Sequence, residues 1–224
     1  MIEINNGALS LSRDGQRNLS ISIHLSNDDF AVLLGRNGSG KTTALDTIAG
    51  VRQLDAGTLS IQPSNAAIGY VVQDSSSGLL PWRTILSNIL LPSKLRAGSH
   101  DAMNEKALNL LSSFGLLDRK DDFPYRLSEG EKQIVNLIRA ACTPANILLL
   151  DEPFASLNAK ARSISKDVLE KFASGRTTVF VTHDPFDLDL PITRWLLITD
   201  STLAEVNKET AKEFLENVAT KPTN

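Results

Sequence analysis

Gly35-Arg36-Asn37-Gly38-Ser39-Gly40-Lys41-Thr42 opens on glycine, returns to glycine after four residues and ends on lysine and threonine. That is the spacing of a phosphate-binding loop, or P-loop, a turn that wraps backbone amides around the phosphates of a nucleotide. Upstream, Phe30 to Leu34 is a short apolar run suited to a buried strand; downstream, Thr42 to Ala49 has helical spacing and stops at Gly50. The loop therefore sits where a strand hands over to a helix. Glycines at 35, 38 and 40 let successive N–H groups converge on phosphate oxygens, and the helix N-terminus adds partial positive charge. On this reading Lys41 reaches the β- and γ-phosphates, Thr42 holds a magnesium ion that bridges them, and Thr43 adds a further phosphate contact. A glycine-rich turn that happens to precede a lysine is the bland alternative, and the strand-turn-helix context weighs against it.

A second constellation lies downstream. Ile147-Leu148-Leu149-Leu150 is a fully apolar strand that delivers Asp151 and Glu152 at its carboxyl end, where open α/β sheets bind their ligands. Asp151 is expected in the magnesium shell, and Glu152 is expected to polarise the water that attacks the γ-phosphate. An acidic turn before Pro153 would read the same in isolation; the loop upstream favours the catalytic reading.

The chain of 224 residues, 42% hydrophobic and 22% charged, has room for one sizeable core. A formal net charge of -3, with no dense lysine or arginine block, argues against a protein that wraps nucleic acid. The single cysteine, Cys142, cannot form an internal disulfide, which fits a reducing compartment; its bland reading is a small buried residue of a helix. No apolar run approaches the roughly 20 residues that cross a bilayer, and the N-terminus lacks the pattern of a signal peptide, so the chain is expected to be soluble by itself. Thr220 to Asn224 reads as a frayed polar tail.

Ile2 to Ser12 and Leu19 to Leu25 alternate apolar and polar residues as half-buried antiparallel strands do, with Arg13-Asp14-Gly15-Gln16 as their turn. Further strands are expected at Thr58 to Ile61, Ile68 to Val72, Ile147 to Leu150, Thr177 to Val181 and Trp195 to Ile198. From Asp74 to about Cys142 the pattern is mostly helical, most clearly over Asp101 to Phe114. Strands separated by helices imply an α/β fold with a mostly parallel sheet, an N-terminal antiparallel β subdomain and an inserted helical subdomain. The expected division is a core of 1–73 and 143–224, with the insertion at about 74–142, all within one domain.

With these residues in place, the chain resembles the ATP-binding subunit of an ABC transporter, and the resemblance runs from the P-loop to His183. Gln73, at the end of a strand, matches the family's glutamine that contacts magnesium and senses the membrane partner. Leu127-Ser128-Glu129-Gly130-Glu131 resembles the signature that usually reads LSGGQ, and it opens a helix running to Ala141. Ala155-Ser156-Leu157-Asn158 resembles the loop after the catalytic glutamate, and His183 matches the histidine that contacts the γ-phosphate. The resemblance implies a RecA-like P-loop NTPase core that binds ATP and Mg2+, with Lys41, Gln73, Glu152 and His183 catalytic and Thr42, Gln73 and Asp151 near the metal. It implies a second such subunit, stacked head to tail, whose Ser128 and Gly130 cap the γ-phosphate across the interface. It also implies a separate membrane-spanning permease, a position on the cytoplasmic face of the cell membrane and, for an importer, a solute-binding protein. Leu79 to Pro92, with Leu-Leu-Pro-Trp at 79–82, and Phe123-Pro124-Tyr125-Arg126 are similar to importers of nitrate, sulfonate, taurine and related solutes.

Other readings compete. Gln73 could be an ordinary strand-end residue, His183 a turn histidine, Ser128 an N-cap completed by Glu131 as a capping box, and Trp82 with its leucines the core of the helical part. Several positions depart from the family pattern. Glu129 stands for glycine and Glu131 for glutamine in the signature, Asn158 stands for aspartate and Ile134 for arginine. Two acids beside a γ-phosphate weaken a closed sandwich unless they turn outward. That favours, as alternatives, an asymmetric pair with a degenerate signature or a nucleotide-sensing module with little turnover. No aromatic residue precedes Phe30 to stack on the base; Arg13 could cover it with its planar guanidinium.

Overall fold

The computed structural model describes residues 1–12, 17–95 and 100–220. The strands are β1 (Ile2–Ser10), β2 (Asn18–Leu25), β3 (Phe30–Gly35), β4 (Ala56–Ile61), β5 (Ile68–Val71), β6 (Ile147–Asp151), β7 (Thr177–Val181), β8 (Arg194–Thr199) and β9 (Thr202–Val206). The helices are α1 (Lys41–Ile48), α2 (Ile85–Leu95), α3 (His100–Ser113), α4 (Glu129–Cys142), α5 (Ala159–Ala173) and α6 (Lys208–Thr220). Every residue of β3, β6 and β7 is buried, as in parallel strands covered on both faces. β2 alternates exposed and buried along its length, as a strand with one wet face does.

The strands form one nine-stranded sheet in the order β4-β1-β2-β9-β8-β3-β7-β6-β5. From β8 to β5 every pairing is parallel, while β1 pairs antiparallel with β2 and β4. The mostly parallel sheet matches the sequence expectation, but the antiparallel part is not a separate sheet. β9 turns back from β8 and also pairs in parallel with β2, through Ser20 with Thr202 and Ile21 with Leu203, so hydrogen bonding is continuous.

Alternation along the central strands distributes two cores. Ala31, Leu33, Leu149 and Val181 face α1, where Ala44, Leu45 and Ile48 meet them together with Ile2, Ile4 and Leu19 of the N-terminal strands. Val32, Leu34, Leu148, Leu150 and Phe180 face the other way, onto Leu137 and Ala141 of α4, Leu169 and Phe172 of α5 and Leu215 of α6. A third core joins Ile85 and Ile89 of α2, Ala107 and Leu111 of α3, and Ile134, Val135 and Ile138 of α4. α4 thus contributes to two cores and knits the helical block to the sheet.

Ile134 is buried in that third core, so an apolar contact takes the place of the arginine. Cys142 is fully buried, and burial pushes its thiol up to about 11, which fits the bland reading. The helical block begins later than the sequence pattern suggests: residues 74–84 are turns and bends, and 114–128 contain two short 3-10 turns, Leu117–Arg119 and Pro124–Arg126. The reading of Trp82 and its neighbours as one core divides. Leu79, Ile85 and Ile89 are buried, whereas Trp82 is 71% exposed. No helix among the described residues is long and apolar enough to cross a membrane. The turn at 13–16, the placement of Arg13 over a base, and the tail at 221–224 lie outside the described residues.

Candidate nucleotide-binding site

Parallel pairing of β3 with β7, and of β7 with β6, brings the loop after β3 beside the acids that end β6. An open cleft of ≈ 290 Å³ lies there, lined by Asn37, Gly38, Lys41, Thr42, Gln73 and Glu152 among others. Gly40 caps α1 with φ 103°, a left-handed backbone that glycine adopts without strain. Lys41 is buried, and its Nζ donates to the carbonyls of Gly35 at 2.9 Å and Arg36 at 3.2 Å. The ammonium thereby cross-braces its own loop. Burial lowers the Lys41 pKa, while Glu152 and Asp151 nearby act in the opposite sense.

Thr42 Oγ1 donates to Asp151 Oδ2 at 2.6 Å. Asp151 is buried, and burial is the main force raising its pKa, with the Thr42 hydroxyl and Lys41 opposing it. The paired hydroxyl and carboxylate oxygens suit a hard cation that takes few protein ligands and completes its shell from phosphate and water, as Mg2+ does. Among the described residues no group of three or more His, Cys, Asp or Glu side chains could hold a metal by itself.

Glu152 Oε2 lies 3.3 Å from His183 Nδ1. That contact is the largest cause holding the Glu152 carboxyl below its ordinary range, and the Gln73 side chain acts weakly in the same sense. The same contact raises the His183 pKa. Glu152 has φ 48°, a conformation unusual outside glycine. Its backbone is held on both sides: its N–H donates to the Val181 carbonyl at 3.1 Å, and its carbonyl accepts from Gln133 Nε2 at 3.4 Å.

Of the residues singled out in the sequence, the structure gathers Asn37, Gly38, Gly40, Lys41, Thr42, Thr43, Gln73 and Glu152 around one cleft. Asp151 joins them through Thr42, and His183 through Glu152. Gly35 and Arg36 meet Lys41 by their carbonyls, and Ser39 donates its amide to Arg36 at 3.0 Å. Ser128 and Gly130 do not line the cleft. Ser128 caps α4, and a capping box with Glu131 is present. The Glu131 carboxylate accepts from the Ser128 N–H at 2.7 Å and from Arg119 Nη1 at 2.7 Å. Glu129 accepts from the Ser75 hydroxyl and lies 3.4 Å from Lys132 Nζ. Each signature acid is therefore paired within the chain. Asn158 caps α5 by accepting from the Ala161 N–H at 2.9 Å.

Sequence reasoning passed over Gln133 and Asn136. Asn136 is fully buried, and its Nδ2 donates to the Ser75 carbonyl at 2.7 Å, fixing the chain just past Gln73. The signal available was two amides on the apolar side of an otherwise amphipathic helix, where buried polar groups need partners.

A strand-loop-helix cradle facing strand-end acids, in an α/β sheet covered on both faces, defines a P-loop nucleotide-binding protein. The family model described as ABC transporter matches residues 19–155, and the chain belongs to that family. It is 32% identical over 200 residues to the aliphatic sulfonates import ATP-binding protein of Cupriavidus necator, covering 85% of this chain and 64% of that one. The corresponding protein of Albidiferax ferrireducens is 35% identical over 182 residues, covering 78% and 63%. The chain thus spans just under two thirds of the length of these relatives. A dimeric bacterial ABC transporter cassette superposes with a TM-score of 0.78 at 25% identity, covering 92% of this chain and 99% of that one. An ATP-binding subunit of an ABC transporter superposes with a TM-score of 0.82 at 18% identity over 100% and 95%, a likeness of fold.

Proposed function

We propose that this chain binds ATP with Mg2+ in the Lys41 cleft, hydrolyses it, and acts as one of two cassettes that drive a membrane-spanning permease. The observation that carries the reading is the convergence at one cleft of a loop lysine, a hydroxyl–carboxylate pair and a carboxylate held ionised beside a histidine. Lys41 exchanges loop carbonyls for phosphate oxygens, and the amides of residues 35 to 43 take up the remaining negative charge. Thr42 and Asp151 would hold Mg2+, which would offset charge on the β- and γ-phosphates. Glu152, kept ionised by His183 and Gln73, accepts a hydrogen bond from the attacking water and orients it. The names of the relatives support import as the direction. The division into a core of 1–73 and 143–224 and a helical part at about 74–142 follows, with Trp82 on the surface of the helical part available to a permease. A solute-binding protein outside the membrane completes an importer.

Steady-state hydrolysis by the purified chain, compared with Glu152→Gln, tests the core of this. The expected result is a loss of about 100-fold or more in turnover with nucleotide binding retained; equal rates would exclude Glu152 as the base. Recovery of an integral membrane partner during purification from membranes tests the transport assignment.

The capping box favours a second reading of the pair. The N–H and hydroxyl of Ser128 are both bonded to Glu131, so this chain offers a preoccupied signature to the nucleotide of its partner. The pair is then asymmetric, with this chain supplying a competent P-loop face. Glu131→Gln should raise turnover of the isolated chain if that is so and leave it unchanged if the pair is symmetric.

A further inference from the structure

His183 stands two residues past the end of β7, and its side chain is more than half exposed. A cavity of ≈ 50 Å³ lies beside it, lined by Glu152, Arg162 and Asp184 among others, which leaves the ring room to turn. The direction of the imidazole therefore depends on how firmly the backbone is held on either side of it. Thr182 Oγ1 accepts from the Asp184 N–H at 3.0 Å and donates to Asp187 Oδ2 at 2.6 Å, so residue 183 is bracketed in a closed turn. The other Asp187 oxygen accepts from Arg162, from Nε at 3.1 Å and from Nη2 at 2.8 Å. The remaining arm of the guanidinium, Nη1, lies 2.5 Å from Asp184 Oδ2.

One arginine thus grips both carboxylates of the turn. Arg162 is the fourth residue of α5, and Lys166, one helical turn on, pairs with Asp189 at 2.6 Å and donates to the Phe186 carbonyl. Asp187 is 1% exposed, and a carboxylate at that depth needs its charged and hydroxyl partners. A planar guanidinium meets two carboxylates at once because its donors form a fixed fork, which the point charge of an ammonium cannot reproduce. We propose that Arg162 is a positioning residue for His183: through Asp184 and Asp187 it fixes the turn from Thr182 to Asp187, and with it the imidazole beside the Glu152 carboxylate. The consequence for turnover rests on the reading of the Lys41 cleft as a site of nucleotide hydrolysis. Arg162 does not line that cleft, so it acts on rate and leaves nucleotide binding alone.

Two variants test this. Arg162→Lys keeps a cation beside Asp187 and loses the fork; Asp184→Asn leaves the buried Arg162–Asp187 pair intact and is the milder of the two for folding. The first readout needs no nucleotide. The chain has three histidines, and the His183 ring signal in proton–carbon NMR spectra of the full chain is identified by its loss in His183→Ala. Both variants should move that signal and leave the other two in place. With ATP and Mg2+, each variant should lower kcat about tenfold, since a shift of about 1 Å in a group at the reacting centre costs up to about 100-fold, and should keep KM within about twofold of wild type. Combined with His183→Ala, neither should lower kcat by more than about a further twofold, because both changes act through one side chain. An unmoved ring signal, a kcat equal to wild type in both variants, or a loss as large in the His183→Ala background as in wild type overturns the assignment. Wild-type hydrolysis that is absent, or unaffected by Glu152→Gln, overturns the reading of the cleft instead, and the ring signals then decide by themselves whether Arg162 positions His183.

Discussion

Gly130→Ala sets two physical effects against each other at one atom. Gly130 is the second residue of α4, and exchanging glycine for alanine in a helix interior stabilises by up to about 1 kcal/mol, with less expected in a first turn. A β-carbon at Gly130, however, would sit 2.8 Å from the Ser156 carbonyl oxygen, well inside van der Waals contact. The obstructing atom is main chain and cannot rotate away as a side chain would. Its segment is anchored on one side by buried Pro153 and Phe154, and on the other by Asn158, which caps α5. Overpacking of this kind costs about 1–3 kcal/mol, so the net effect is a destabilisation of about 1–2 kcal/mol, which at this chain length lowers Tm by roughly 2–8 °C. Thermal unfolding followed by circular dichroism measures it. Affinity for nucleotide in the isolated chain should stay the same, because Gly130 does not line the Lys41 cleft. A Tm equal to or above wild type would refute the reasoning, since it would mean that the 155–158 loop yields at no cost.

The legible parts of this fold are those in which local pattern and tertiary role agree. The apolar runs of β3 and β6 announce two-sided burial, and the residues at or beyond the carboxyl end of each meet at one cleft, so the neighbourhood of Lys41, Thr42, Asp151 and Glu152 is legible in the sequence. β9 was not legible. Its hairpin from β8 turns on Asp200 and Ser201, both with positive φ, a two-residue geometry for which Asn-Gly or Asp-Gly is the recognisable sequence. Missing that turn hid the strand that joins the antiparallel and parallel parts into one sheet.

The partners of the signature acids were hidden for a different reason. Glu131 meets Arg119 twelve residues earlier and Glu129 meets Ser75, pairings set by how α4 lies against two irregular segments. Periodicity reports which face of α4 is buried, and Ile134, Leu137 and Ile138 obey it. It does not report that Gln133 and Asn136 on that face hold the backbones next to Glu152 and Gln73. α4 is thereby hydrogen-bonded both to the backbone of Glu152 and to the chain just past Gln73.

Asn136→Ala removes the amide that satisfies the Ser75 carbonyl in a fully buried setting, so it should cost about 1–3 kcal/mol, lowering Tm by several degrees, and reduce turnover more than nucleotide affinity; unchanged Tm would mean that water replaces the amide. The Glu152–His183 contact predicts a pH signature for His183→Ala. His183 is raised above its ordinary 6.5, so its contribution is complete below that value and fades as pH rises through the higher folded value. Glu152 is lowered from 4.5, so its contribution is complete above 4.5 and fades as pH falls through the lower folded value. The gap in Tm between wild type and variant should therefore be widest between pH 4.5 and 6.5 and close on both sides. The His183 side chain is 55% exposed, and solvent and salt screen the pair, so the gap should be small, within the range of about 0.2–1 kcal/mol found for surface ion pairs, and should shrink in high salt. A gap that closes neither as pH falls below 4.5 nor as it rises above 6.5 would mean that His183 acts through packing, and that something other than its charge keeps Glu152 ionised.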